Sequence, residues 1–279
     1  MEVLVKDIVA QAKKKLDACG IVESRIDSWL LAESVLGVSR QDLFLEPEKS
    51  ISEEQAQKYF EAISERSEHI PLQYITGRQQ FMDFGFIVNE DVLIPRPETE
   101  LLVEKVTSYI KERYVKVLDM CTGSGCIAVS IDRMCANADV TAVDISEKAL
   151  KVAGENNVNN QGRVTFVQSD LFENINETYD VIVSNPPYIP TSDIDTLMEE
   201  VREHEPHLAL DGSADGLKFY REICTNAVNY LNKNGKIFLE IGYDQGQTVP
   251  ELLRENGFSD IQVLKDLSGN DRMVIAGKE

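Results

Sequence analysis

The chain has 279 residues, 43% of them hydrophobic and 27% charged, which is enough for a full α/β domain with a smaller companion. Its 28 basic and 48 acidic side chains give a formal net charge of -20, a field that repels polyanions and argues against direct binding of free nucleic acid. No apolar run approaches the ~20 residues of a bilayer crossing, and the start Met1-Glu2-Val3-Leu4-Val5-Lys6-Asp7 lacks the features of signal and transit peptides, so a cytoplasmic protein with no membrane partner is expected.

The first seventy or so residues read as helices. Val5, Ile8, Val9, Ala12 and Leu16 share one helical face. Trp29, Leu30, Ala32, Val35 and Leu36 suggest a second stripe, stopped by Gly37. Ser52-Glu53-Glu54-Gln55 is a capping box for a third helix, with Ala56, Tyr59, Phe60 and Ile63 turned inward. Two readings of this helical part stand: a module that only stabilises or connects, and one that docks a macromolecular substrate. Pro71 to Gly77 ends it. Residues 79–92, with Phe81, Phe84, Phe86, Ile87 and Val88 around Gly85, predict a hairpin between two domains.

From about residue 93 strands and helices alternate. Strands are expected at Val115–Asp119, Asp139–Asp144, Val164–Gln168, Tyr179–Ser184, Gly235–Ile241, Ile261–Leu264 and Arg272–Ala276. That pattern predicts a parallel sheet covered on both faces, with its ligand off the carboxyl ends of the strands where strand order reverses. The cysteines are Cys19, Cys121, Cys126, Cys135 and Cys224, odd in number and without zinc-type spacing, which fits a reducing compartment. His204 and His207 have no ligand partners near them in sequence, so no metal site is expected.

The first strand runs into Asp119-Met120-Cys121-Thr122-Gly123-Ser124-Gly125, a tight turn that opens a helix. Gly123 and Gly125 let the backbone pass close to a ligand, and the turn presents amide N–H groups at a helix start. No Gly-Lys-Ser/Thr follows, and the third glycine of a dinucleotide fingerprint is missing, so the turn alone does not single out a cofactor. Asp144 ends the second strand about 20 residues on, the place where a carboxylate meets ribose hydroxyls. Asp170 is a candidate acceptor for an adenine amino group, and Leu171 or Phe172 a candidate apolar wall. Asp119 is a candidate to orient the turn or the cationic end of a donor.

The fourth strand ends in Asn185-Pro186-Pro187-Tyr188. A planar, conjugated nitrogen is a poor nucleophile, and two acceptors aimed at its N–H groups hold it and favour the charge that develops on it. The Asn185 side-chain oxygen and the Pro186 carbonyl supply such a pair. Consecutive prolines stiffen the turn and remove competing donors, and Tyr188 offers a flat face to the acceptor's π-system. Together with the glycine turn, this points to methyl transfer from S-adenosyl-L-methionine onto a planar nitrogen. Side-chain carboxamides and adenine N6 both satisfy that description.

These residues resemble the class I S-adenosylmethionine-dependent methyltransferases with an Asn-Pro-Pro-Tyr motif. Pro71 to Gly77, Leu93-Ile94-Pro95-Arg96-Pro97-Glu98-Thr99-Glu100, Pro206 to Arg221 with Asp211-Gly212 and Asp215-Gly216-Leu217, and Asp266 to Arg272 narrow the likeness to the release-factor glutamine methyltransferases over essentially the whole length. The resemblance implies a Rossmann-like seven-stranded sheet and a small N-terminal helical domain. It implies methylation of the glutamine N5 in the Gly-Gly-Gln motif of peptide chain release factors. Donor positions carry over onto Cys121 to Gly125, Asp144, Leu171 and Asn185, and substrate positions onto Asn185 to Tyr188. Cys121 stands where the family often has glycine. Arg96 and Glu100 match a family segment near the active site, and a structural salt bridge is an equal reading for them. The division expected is a helical N-terminal substrate-docking domain at 1–78, a linker hairpin at 79–92 and the methyltransferase domain at 93–279. An amino-methyltransferase acting on adenine N6 is the alternative.

Overall fold

A computed structural model describes residues 2–278. The chain forms two compact units, one running up to Arg78 and joined by Met198–His204, the other comprising Gln79–Leu197 and the chain from Glu205 onward.

The first unit contains β1 (Glu2–Leu4), α1 (Val5–Ala18), α2 (Ser24–Leu36), α3 (Arg40–Leu45), β2 (Ser50–Ser52), α4 (Glu53–Ser67) and α5 (Leu72–Thr76). All five expected residues of α1 are buried, and the Ser52–Gln55 capping box opens α4. Gly37 ends α2 at φ 65°, in the left-handed region that glycine enters freely. The apolar stripe expected on α2 is offset. Leu31, Ala32 and Leu36 are buried together with Ser24, Asp27 and Ser28, whereas Leu30 and Val35 are exposed. Polar anchors from α4 set this orientation: Arg66 Nε donates to Asp27 at 2.7 Å, and the Tyr59 hydroxyl donates to the Ser28 carbonyl at 2.7 Å. Periodicity of apolar residues carries no trace of them. Two strands were also not anticipated here, β1 and β2, which pair antiparallel.

β3 (Arg78–Phe81) and β4 (Phe84–Ile87) pair at the start of the second unit, which opens at Gln79. Its Phe81 and Phe86 meet edge to face and belong to the core beneath the sheet. There follow α6 (Pro97–Ile110), β5 (Val115–Met120), α7 (Cys126–Met134), β6 (Ala138–Asp144), α8 (Glu147–Asn159), β7 (Thr165–Gln168), β8 (Tyr179–Ser184) and α9 (Thr191–Ile194). Next come α10 (Glu199–His204, in the segment that joins the first unit), α11 (His207–Leu210), α12 (Lys218–Tyr230), β9 (Leu231–Glu240), α13 (Thr248–Glu255), β10 (Phe258–Lys265) and β11 (Asp271–Lys278).

Seven strands form one sheet in the order β10-β11-β9-β8-β5-β6-β7. Neighbours from β9 to β7 pair parallel, as expected, but β11 runs antiparallel to both β9 and β10, so the sheet is mixed. The five-residue connection at 266–270 joins β10 to β11, and a connection this short can only join antiparallel neighbours. Successive strand residues serve opposite faces. Val117, Val140, Val181 and Phe238 pack under α6 and α7, while Leu118, Val143, Ile182 and Leu239 pack under α12 and α13. Burial on both faces is why the central strands β8 and β9 carry the apolar runs Val181-Ile182-Val183 and Ile237-Phe238-Leu239. Strand order reverses between β5 and β8, which opens the crevice at their carboxyl ends.

Candidate active site

Register places the two key turns side by side. Met120 pairs with Ser184 across β5 and β8, so the glycine turn and the Asn-Pro-Pro-Tyr turn leave adjacent strands at one level. The Ser184 hydroxyl donates to the Met120 carbonyl at 2.7 Å and ties them there. Met120 also pairs with Val143, and Asp144 with Gln168, so the β6 and β7 ends arrive at the same height.

A cavity of about 350 Å³ opens above these strand ends. Of the residues expected at the site, Cys121, Gly123, Asp144, Asp170, Leu171, Asn185 and Pro187 line it. Asp119, Thr122, Ser124, Gly125, Pro186 and Tyr188 are not among the lining residues, and all of them are buried except Tyr188, which is half-buried. The Thr122 hydroxyl donates to Asp119 Oδ2 at 2.6 Å, so Asp119 holds the glycine turn from beneath. Burial pushes Asp119 up to about 7, against the Thr122 hydroxyl and the Ala128 amide. Gly125 has φ 79°, and a Cβ there would meet Ala153 at 3.0 Å, so α7 and α8 approach as closely as they do only with glycine at this point. Cys121 and Leu171, both on the cavity wall, take positive φ values of 60° and 46°. Non-glycine residues rarely do so, and such backbone concentrates at ligand sites.

Asp144 Oδ2 accepts from the Gly123 amide and Oδ1 from the Ser146 amide, each at 2.9 Å. Burial raises its carboxyl above the ordinary range, and these backbone donors act in the opposite direction. The lining carries four carboxylates, Glu90, Asp91, Asp144 and Asp170, against Lys148 and Lys218. Lys148 is already paired with Asp91. Apolar walls come from Leu93, Val143, Ile145, Leu171 and Phe219. A flat, apolar ring system carrying hydroxyls and a positive charge suits that mixture, so the residues present fit a sulfonium nucleoside.

The Asn-Pro-Pro-Tyr turn is held from outside. Gln245 Nε2 donates to the Tyr188 carbonyl at 3.1 Å and the Gly216 carbonyl at 3.2 Å. Gly212 and Gly216 lie against the Tyr188 backbone so closely that any Cβ would collide with it. Asn185 Nδ2 donates to the Thr99 hydroxyl oxygen at 3.3 Å. Burial pushes the Tyr188 hydroxyl up to about 12, with Glu240 adding to the rise and Arg272 and Arg96 opposing it.

Arg96 pairs with buried Glu205, which also accepts from the Ile94 amide, and Glu100 accepts from the Met82 amide at 2.5 Å. These contacts brace the segment that enters α6. Sequence reasoning did not single out the wall at Glu90–Leu93, the opposite wall at Leu208, Ala209, Lys218 and Phe219, or Glu240 and Gln245 behind the turn. Leu93, Thr99, Leu208, Ala209, Gly216, Lys218 and Phe219 lay within segments carrying the resemblance, which was their only signal. Among the described residues no cluster of three or more His, Cys, Asp or Glu side chains is arranged to hold a metal ion, and no helix is long and apolar enough to cross a membrane.

Residues 7–77 match the family described as PrmC N-terminal domain, and residues 97–214 the methyltransferase small domain. The release factor glutamine methyltransferase of Clostridium botulinum is 40% identical, with 99% of each chain covered. That of Streptococcus pneumoniae is 43% identical over 87% of this chain and 88% of its own. A methyltransferase from Pyrococcus furiosus shares the fold at TM-score 0.53 and 18% identity, over 69% of this chain and 88% of that one. The sheet is that of the class I methyltransferases, preceded by a helical N-terminal domain. With relatives this similar along both full lengths, the chain belongs to the release factor glutamine methyltransferase family.

Proposed function

We propose that this enzyme moves the methyl group of S-adenosyl-L-methionine to the side-chain N5 of the glutamine in the Gly-Gly-Gln motif of peptide chain release factors. The observation that carries the reading is the Asn-Pro-Pro-Tyr turn, which leaves the sheet beside the glycine turn and brings Asn185 and Pro187 into the same cavity as Asp144. When bound, the donor supplies a methyl group already activated by positive sulfur, so the chemistry calls for no metal. Cys121 to Gly125, Asp144, Asp170 and Leu171 bind it. The Asn185 oxygen and the Pro186 carbonyl accept the two N–H groups of the target amide and aim its nitrogen at the methyl. Tyr188 and Pro187 shape the acceptor side. The nitrogen loses a proton once alkylated, so no dedicated base is needed.

The helical unit is read as the docking module for the release factor, and the reaction as one that runs in the cytoplasm, where release factors act. Incubation with release factor and labelled donor, followed by mass spectrometry, is expected to find one methyl on one glutamine. Label found only on nucleic acid would establish the adenine-type reading instead. Asn185→Ala is expected to bind donor with little loss and to lower kcat by about 10²–10³-fold, the usual cost of removing one aligned polar group. Unchanged turnover in that variant removes the proposed role of Asn185.

A further inference from the structure

An asparagine that must present oxygen, and not NH2, to its substrate needs something to fix which way its amide faces. The two ends have nearly the same shape, so packing alone discriminates weakly between them. In this chain, Ser184 pairs with Leu239 across β8 and β9, which sets Glu240 beside Asn185. Thr99, in the first turn of α6, sits at the same place with 3% of its surface exposed. Its hydroxyl oxygen accepts from Asn185 Nδ2 at 3.3 Å. Glu240 is 2% exposed, and its Oε2 has no hydrogen-bond partner among the described residues.

We infer that Thr99 and Glu240 are positioning residues that lock the Asn185 amide with its oxygen toward the acceptor, which deepens the proposed function and rests on it. The direction follows from donor counting. An ionised carboxylate only accepts, a hydroxyl has one proton, and an amide NH2 only donates. Glu240 therefore takes the Thr99 proton, Thr99 turns a lone pair to Asn185, and the Asn185 NH2 must face Thr99. A flipped amide would set its NH2 against the donors of the substrate amide and leave the Thr99 oxygen without its proton donor.

A purely structural role is a poor account of Glu240. Burying a carboxylate is costly, and an apolar residue would pack there without that cost. Burial pushes the Glu240 carboxyl up to about 7, while the Thr99 hydroxyl, the nearby Arg272 and the Asn185 amide favour its charged form. The other groups facing it are Glu98 of α6, Tyr188 of the turn, Cys126 of α7 and Tyr220 of α12, whose hydroxyl donates to the Glu240 backbone carbonyl at 2.7 Å. Loss of the charge as pH falls through this region weakens the lock.

The test uses the full chain with S-adenosylmethionine and release factor. Thr99→Val, which keeps shape and deletes the hydroxyl, is expected to lower kcat about 10–100-fold, the effect of losing one oriented hydrogen bond. KM for release factor and Kd for donor should stay within about 3-fold, and Thr99→Ser should restore most of kcat. The wild-type kcat should fall with pH below about 7, and Glu240→Gln should flatten that limb. The side-chain amide protons of Asn185, followed by NMR hydrogen exchange, should be protected in the wild type and in Thr99→Ser and unprotected in Thr99→Val. A Thr99→Val enzyme with normal kcat, or equal exchange in all three proteins, overturns the inference. If the wild type leaves release factor unmethylated, the proposed function fails, and the exchange measurement still decides the lock.

Discussion

Asp144 is already engaged before any ligand reaches it. Each carboxylate oxygen accepts one backbone amide, and one of those amides is Gly123 of the donor turn. A carboxylate has about four acceptor positions, and the Ile145 amide also bears on this one, so the backbone leaves acceptor capacity for a hydroxyl without filling it. In the proposed function the same side chain shapes the turn and binds the donor's ribose. Asp144→Asn keeps the shape but replaces one acceptor with an NH2 facing a donor. The expected result is at least ~10-fold weaker donor binding by calorimetry, with kcat at saturating donor little changed. Because burial raises this carboxyl, donor affinity should begin to fall, as pH is lowered, above the ~3.9 at which an ordinary aspartate titrates. Asp144→Asn should remove that pH dependence.

At the scale of elements, the site depends on loops that lie outside it. The segment between α11 and α12 clamps the Asn-Pro-Pro-Tyr turn through backbone contact. Gly216 has φ 71°, and a Cβ there would lie 2.4 Å from the Tyr188 carbonyl oxygen. Gly216→Ala must therefore move the turn, with backbone strain of order 1–3 kcal/mol. Donor binding should survive, because Asp144 and the glycine turn are on other strands, while kcat should fall at least ~10-fold. Equal kcat for Gly216→Ala and the wild type would show that this clamp does not set the turn. Little of this clamp was legible beforehand. The five parallel strands were, as short apolar or β-branched segments alternating with helical ones, and so were the turns at their ends, where glycine and proline mark special backbone. The offset of α2 was hidden because Asp27 finds Arg66 39 residues away. The antiparallel β11 was hidden because apolar patterning does not encode strand direction. Thr99 and Glu240 gave no periodic signal, because their meaning lies in strand register and in the packing of α6.

For the whole molecule, the net charge of -20 gives a self-repulsion that grows with pH, and two buried carboxylates add to the same trend. Burial raises Asp119 and Glu240 to about 7, above the ~3.9 and ~4.3 of the unfolded chain. The folded state thus holds protons that the unfolded state has released. Their contribution to stability is fully present below the unfolded values and is lost as pH rises through about 7. In that window each group can change stability by up to about 1.4 kcal/mol per pH unit. Carboxylates with the opposite shift, such as Asp42 and Asp266, are lowered by hydrogen bonds and act only below the ordinary carboxylate range. Denaturant unfolding followed by circular dichroism should therefore show stability falling from pH 5 to pH 8. Asp119→Asn and Glu240→Gln should each flatten that slope, and together should leave a shallower trend from surface charge and from Asp27 and Asp144, which burial also raises. A slope unchanged in the double variant would show that neither carboxyl holds its proton in the fold. The expected outcome places the enzyme's stability and its turnover on opposite sides of one titration, since the ionised Glu240 that orders Asn185 is also the form that costs the fold most.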